Sequence, residues 1–223
     1  MSPLRAVLFD MDGVLVQTEP LKAEAHAAAT RYFGGEVAPA FYATKMGRAV
    51  EEIGRAFLAA GEVNGDMARY LPLSDQAYHR LVETQLAPTP GVTEFLQQLK
   101  QDGWRLGLVT SDYAPMMRYV VERAGLAQFF DTTISRDDVT RIKPAPDGYL
   151  AALARLEVAA NTAVVVEDSE SGLQAAVGAG LPVLALRHSF NTHHNFSLAA
   201  QIVDSFLDPR ALIQAIETIL PQK

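Results

Sequence analysis

An apolar run, Ala6-Val7-Leu8-Phe9, stops at Asp10, and a second carboxylate follows at Asp12 just before Gly13. The run reads as a buried strand whose end presents both acids. Residues two apart on an extended chain point the same way, with Cα atoms roughly 6.6 Å apart at about 3.3 Å per residue. Both carboxylates can then reach one ligand, and Gly13 permits a turn away from the sheet edge. Alone, the pair would pass as ordinary turn acids. Three later stretches change that reading: Leu108-Val109-Thr110-Ser111, Arg141-Ile142-Lys143-Pro144 and Val165-Val166-Glu167-Asp168-Ser169. In each, a polar or charged group ends or follows an apolar run.

The four stretches together permit one chemistry. Asp10 and Asp12 with Glu167 and Asp168 make a pocket of hard oxygens suited to Mg²⁺, which prefers carboxylates, waters and substrate phosphate. Such a cluster repels itself without a cation, so Lys143 and a metal are its electrical partners. Asp10 would attack phosphorus in line to form an aspartyl phosphate, while Asp12 protonates the leaving oxygen and later activates water. Thr110 would hydrogen-bond the transferring oxygens, and Lys143 and Mg²⁺ would stabilise the charge on them. Thr110 and Ser111 can cap the following helix and bind phosphate at once.

These groups need a frame. From residue 91 onward, helical stretches alternate with short apolar runs: strands are expected at 106–109, 131–135, 163–166, 182–186 and 202–203, and helices at 92–100, 116–123, 147–156 and 169–179. Asp208-Pro209 is an N-cap and N1 pair for a last helix. Such alternation implies a doubly wound parallel sheet, an α/β Rossmann-like core with helices on both faces. Ligands bind such sheets beyond the carboxyl ends of the strands, where Asp10, Thr110 and Asp168 fall; Lys143 follows on the same side. Between the first strand and this core, residues 17–87 read as all-helical, with helices at 19–32, 39–46, 49–60 and 74–87 and breaks at Gly47, Gly61, Gly65 and Pro72. The expected domains are therefore a catalytic core of residues 1–16 and 88–223 and an inserted helical cap of residues 17–87.

Composition narrows the setting. A chain of 223 residues with 49% apolar content can bury a sizeable core. Its net charge of −7 argues against nucleic acid as a partner, and an anionic substrate must be held by local positive charge. With no cysteine, disulfides, thiolate metal sites and cysteine nucleophiles are excluded. No apolar segment approaches the roughly 18 residues of a membrane span, and a cytoplasmic protein, monomeric or weakly self-associating, is expected. His188, His193 and His194 have no recognised ligand spacing and read as a surface loop.

In sequence the chain resembles the haloacid dehalogenase superfamily of phosphohydrolases, in the group with a helical cap after the first motif. The motifs are Asp10-Met11-Asp12-Gly13-Val14-Leu15, then Thr110, then Lys143-Pro144-Ala145-Pro146-Asp147, then Glu167-Asp168-Ser169. The resemblance implies Asp10 as nucleophile, Asp12 as acid/base, and Mg²⁺ bound by Asp10, the Asp12 backbone carbonyl and Asp168, with Glu167 assisting. It implies hydrolysis of a small phosphorylated metabolite, such as a sugar phosphate or phosphoglycolate. The alternative is a phosphomutase of the β-phosphoglucomutase type. That mutase carries a His on its first cap helix and an Arg in the cap loop, where Lys22 and Val50 stand here, and Gln17 replaces the acid usual before Thr18-Glu19. A receiver-type signalling domain also combines an Asp, a hydroxyl and a Lys, but the large helical insertion speaks against it; the intact acid pair speaks against a non-catalytic binding relative. Lys22, Lys45, Gly47 and Arg48 are the expected cap contacts to substrate, alongside Ser111.

Overall fold

The computed structural model describes residues 4–220. They fold into two compact units, one from residues 4–16, 88–188 and 194–220, the other from Gln17–Ala87 and Ser189–His193. The first is the α/β unit. Its strands are β1 (Ala6–Phe9), β2 (Arg105–Val109), β3 (Thr132–Ile134), β4 (Ala163–Glu167), β5 (Val183–Leu186) and β6 (Gln201–Val203). They form one sheet in the order β3-β2-β1-β4-β5-β6, and every neighbouring pair is parallel. All four residues of β1 are fully buried, as a strand covered on both faces requires. On one face Leu8 and Val165 pack with Tyr149, Leu153 and Leu173. On the other, Phe9 meets Phe95 edge-on at 6.0 Å, and Phe95 stacks on Phe206 at 5.4 Å.

The helices of this unit are α4 (Val92–Gln101), α5 (Ala114–Arg123), α6 (Asp147–Leu156), α7 (Glu170–Gly178) and α8 (Pro209–Ile219). Asp208 caps α8 by accepting from the Ala211 N–H at 3.0 Å. The doubly wound topology expected from the alternation is thus present. Strand register matters most for the site: Phe9 lies opposite both Leu108 and Val166, so the residues following β1, β2 and β4 emerge together. Where the chain leaves and returns to this unit, Val16 and Pro88 form an antiparallel bridge.

The helical unit contains α1 (Glu19–Tyr32), a 3₁₀ segment (Pro39–Lys45), α2 (Val50–Ala60) and α3 (Met67–Gln85). Its core gathers Ala23, Ala27, Tyr42, Phe57 and Tyr70. Two details differ from the sequence reading. Pro72 was expected to break the chain, yet it lies inside α3. An interior proline costs about 3 kcal/mol, but Tyr70, Ser74, Tyr78 and Val82, spaced by four, bury one stripe of this helix, and Asp66 caps its first turn. Residues 189–193 also group with the helical unit rather than the core, with Phe190 edge-on to Tyr42 at 6.5 Å.

Candidate active site

Asp10 follows β1 directly, and its N–H extends the ladder by donating to the Val166 carbonyl at 3.0 Å. The chain then closes a tight turn: the Leu15 N–H donates to the Met11 carbonyl at 2.9 Å, and the Gly13 N–H to the Val16 carbonyl at 2.9 Å. Gly13 has φ +74°, and a Cβ there would lie 2.1 Å from Asp168 Oδ2. Only glycine suits a position that is both left-handed and pressed against a carboxylate. After β2, the Thr110 hydroxyl accepts from the Asp112 N–H at 3.1 Å and so shapes the loop that carries Ser111.

Lys143 ties three strands together. Its ammonium donates to Asp10 Oδ1 at 2.5 Å, to Glu167 Oε1 at 2.6 Å and to the Val109 carbonyl at 3.0 Å. Asp10, Glu167 and Asp168 each present a carboxylate oxygen, and these oxygens lie within 4.8 Å of one another. The Asp12 side chain is not part of that group, although its charge is felt at Asp10.

Glu167 is fully buried. Its Oε1 accepts from Lys143 at 2.6 Å and the Tyr149 hydroxyl at 3.0 Å; its Oε2 accepts from the backbone N–H groups of Asp168 and Ser169 and from the Ser169 hydroxyl, at 2.9, 3.0 and 3.0 Å. A carboxylate offers about four lone-pair sites, so these five donors saturate it. Gly172 makes room: a Cβ there would fall 1.7 Å from Glu167 Oε1.

The electrostatics follow from this unequal sharing. Burial opposes charge on Lys143, but Asp10 and Glu167 overcome it and hold the ammonium well above its usual range. Burial also opposes charge on Glu167, yet Lys143 and the converging donors bring it below its usual value. Asp10 takes the strain: burial pushes it well up, Lys143 pulls it back, and Glu167, Asp168 and Asp12 push it up further. With these groups ionised, three carboxylates outnumber one ammonium and Asp12 adds a further negative charge nearby, a surplus that a cation would offset. An all-oxygen donor set with that surplus fits a hard divalent ion.

Three neighbours of the site were not singled out as site residues from sequence. Tyr149 reaches Glu167 from α6, and its ring lies 5.2 Å beneath the Lys143 ammonium. His188 Nε2 lies 2.8 Å from Asp168 Oδ2, and His194 Nδ1 lies 3.3 Å from the Asp168 carbonyl. These two histidines do lie in the loop after β5, but they are half-buried and turn to Asp168 instead of standing out on the surface, a contact that ligand spacing in the sequence does not signal. In the helical unit, Lys22 pairs with Glu19 at 3.0 Å, Arg48 pairs with Glu52, and the Lys45 ammonium lies 5.5 Å from the Phe41 ring centre. Gly47 turns the chain at φ +83° with open space where a Cβ would be.

Known proteins share this architecture. The chain is 30% identical over 218 residues to a phosphorylated carbohydrates phosphatase of Thermotoga maritima, covering 97% of this chain and all of that one. It is 29% identical to a phosphoglycolate phosphatase of Nitrosospira multiformis, covering 95% and 96% of the two chains. The crystal structure of CbbY from Rhodobacter sphaeroides in complex with phosphate superposes with a TM-score of 0.76 at 29% identity, over 92% of this chain and 96% of that one. The model of the haloacid dehalogenase-like hydrolases matches residues 7–186, the span that carries Asp10, Thr110, Lys143 and Asp168, and the chain belongs to that family.

Proposed function

We propose that this enzyme is a Mg²⁺-dependent phosphatase of small phosphorylated carbohydrates or phosphoglycolate-like acids, acting through a phosphoryl group carried on Asp10. The observation that carries the reading is Asp10 at the end of β1, 2.5 Å from a buried ammonium and grouped with Asp168. The nature of the relatives supports the substrate class. In this reading an Asp10 oxygen attacks phosphorus, and Asp12 gives a proton to the departing alcohol oxygen. Water then attacks the phosphoryl group, Asp12 takes its proton, and inorganic phosphate leaves with Asp10 restored. Thr110, Ser111 and Lys143 bind the phosphoryl oxygens.

Mg²⁺ would be held by Asp10, Asp168 and the Asp12 carbonyl, and would supply charge neutralisation to the phosphoryl oxygens and to Asp10. Glu167 acts mainly as the ionised counter-ion of Lys143, since its acceptor sites are already saturated. Residues 17–87 serve as the cap and set specificity, with Lys22, Lys45 and Arg48 exchanging their present partners for substrate. The enzyme works in the cytoplasm; no helix among the described residues is long and apolar enough to cross a membrane.

The test is release of inorganic phosphate from a panel of sugar phosphates, phosphoglycolate and nucleotides, with Mg²⁺ or with EDTA. Metal-dependent release is expected. Isomerised sugar phosphate without net release would instead establish the mutase, a reading that Lys22 and Val50 in place of its His and Arg disfavour.

A further inference from the structure

We propose that His188 is a positioning residue for the carboxylate of Asp168, fixing it for the divalent cation. This rests on the reading of Asp168 as a metal ligand given above. His188 follows β5, the strand beside β4, and the pairing of Glu167 with Ala185 brings the ends of these two strands out together. The Arg187 N–H still donates to the Val203 carbonyl at 2.8 Å, so the backbone is held one residue beyond the strand. The Arg187 side chain pairs with Asp204 through Nε at 2.8 Å and Nη2 at 3.2 Å. Successive side chains of an extended chain point to opposite sides, and His188 accordingly turns the other way, to Asp168.

The contact is short and sheltered. Nε2 lies 2.8 Å from Asp168 Oδ2, with the imidazole 22% exposed and the carboxylate 2% exposed. Gly13 supplies the space, because a Cβ there would meet Asp168 Oδ2 at 2.1 Å and His188 Nε2 at 3.1 Å. One glycine thus keeps clear the spot where the carboxylate and the imidazole meet. His194, 3.3 Å from the Asp168 carbonyl, lies against the backbone of the same residue. A neutral imidazole with its proton on Nε2 suffices as the donor to Oδ2, so the role requires no change of charge. Donors of this kind fix the plane of a ligating carboxylate, and their loss typically costs 10–100-fold in metal affinity.

The experiment measures Mn²⁺ binding, by calorimetry and by the electron paramagnetic resonance of the free ion, to the wild type, His188→Ala and His188→Gln. Thermal unfolding in EDTA is run on each to compare the metal-free folds. The proposal expects His188→Ala to bind Mn²⁺ about 10–100-fold more weakly while still unfolding in EDTA as a folded protein in one cooperative transition. His188→Gln, whose amide N–H can replace Nε2–H, should recover most of the loss. Alanine binding as tightly as wild type, or more tightly because the imidazole competes for Oδ2, overturns the proposal. A glutamine variant no better than alanine does the same. Wild type that binds no Mn²⁺ would instead overturn the metal reading of Asp168 itself, so the two failures are distinct.

Discussion

His26 is the group through which pH should act on the helical unit. Its ring is buried, 5% exposed, and lies within an aromatic cluster, 5.3 Å from Phe57 and 5.9 Å from both Tyr42 and Tyr70. The Tyr70 hydroxyl donates to the His26 carbonyl at 3.0 Å, so the 3.1 Å contact between His26 Nδ1 and the Tyr70 hydroxyl oxygen assigns Nδ1 as the donor to that hydroxyl. The Thr30 hydroxyl also donates to the His26 carbonyl, at 2.9 Å. Burial first, then the charge of Lys22, lowers the imidazole to about 4 from its ordinary 6.5. The unfolded chain takes up this proton as pH falls through about 6.5, whereas the folded chain holds it off until about pH 4. Stability is therefore full above the upper value, falls through the window as unfolding takes up a proton, and levels off below the lower one. At about 1.36 kcal/mol per unit, going from pH 7 to pH 5 should remove about 2 kcal/mol. Urea unfolding followed by far-UV circular dichroism, on wild type and His26→Phe at both pH values, isolates the effect. Phenylalanine keeps the ring packing without a titrating group, and the other titrations cancel in the comparison. The wild type should lose about 2 kcal/mol more than the variant; equal losses would refute the assignment.

Two substitutions probe the lysine cradle. Gly172→Ala would place a Cβ 1.7 Å from Glu167 Oε1 and 1.9 Å from its Cδ, and that carboxylate is pinned by its donors, so a loss of about 3 kcal/mol is expected in denaturant unfolding. Tyr149→Phe keeps the ring beneath Lys143 but deletes the 3.0 Å donor to an ionised, buried Glu167, and should cost about 2 kcal/mol in the same assay.

What the sequence disclosed depended on whether neighbours in space were marked by local pattern. Asp10, Thr110 and Asp168 could be found because each follows an apolar strand directly, and a parallel sheet presents such positions at one edge. The α/β architecture was legible for the same reason: the inner strands β1, β4 and β5 are buried on both faces and read as apolar runs, while the edge strands β3 and β6 are shorter and partly exposed. Pro72 misled because local propensity favours a break, while the stripe from Tyr70 to Val82 that outweighs it is a tertiary effect. His188 and Tyr149 carried no readable signal. His188 reaches Asp168 from 20 residues away because β5 lies beside β4, and Tyr149 reaches Glu167 from 18 residues away because α6 packs on the sheet. Phe190 likewise joins the helical core from a loop after β5, with nothing in its flanking residues to say so.

The central claim is that Asp10 carries the phosphoryl group. The most direct measurement is an acid quench during turnover of the best phosphorylated substrate with Mg²⁺, followed by mass spectrometry of the peptide containing Asp10. The account expects one phosphoryl group on Asp10, removable by hydroxylamine as an acyl phosphate is, and neither adduct nor phosphate release in Asp10→Asn. Sustained phosphate release by Asp10→Asn, or wild-type turnover with no phosphoryl group ever on Asp10, would contradict it.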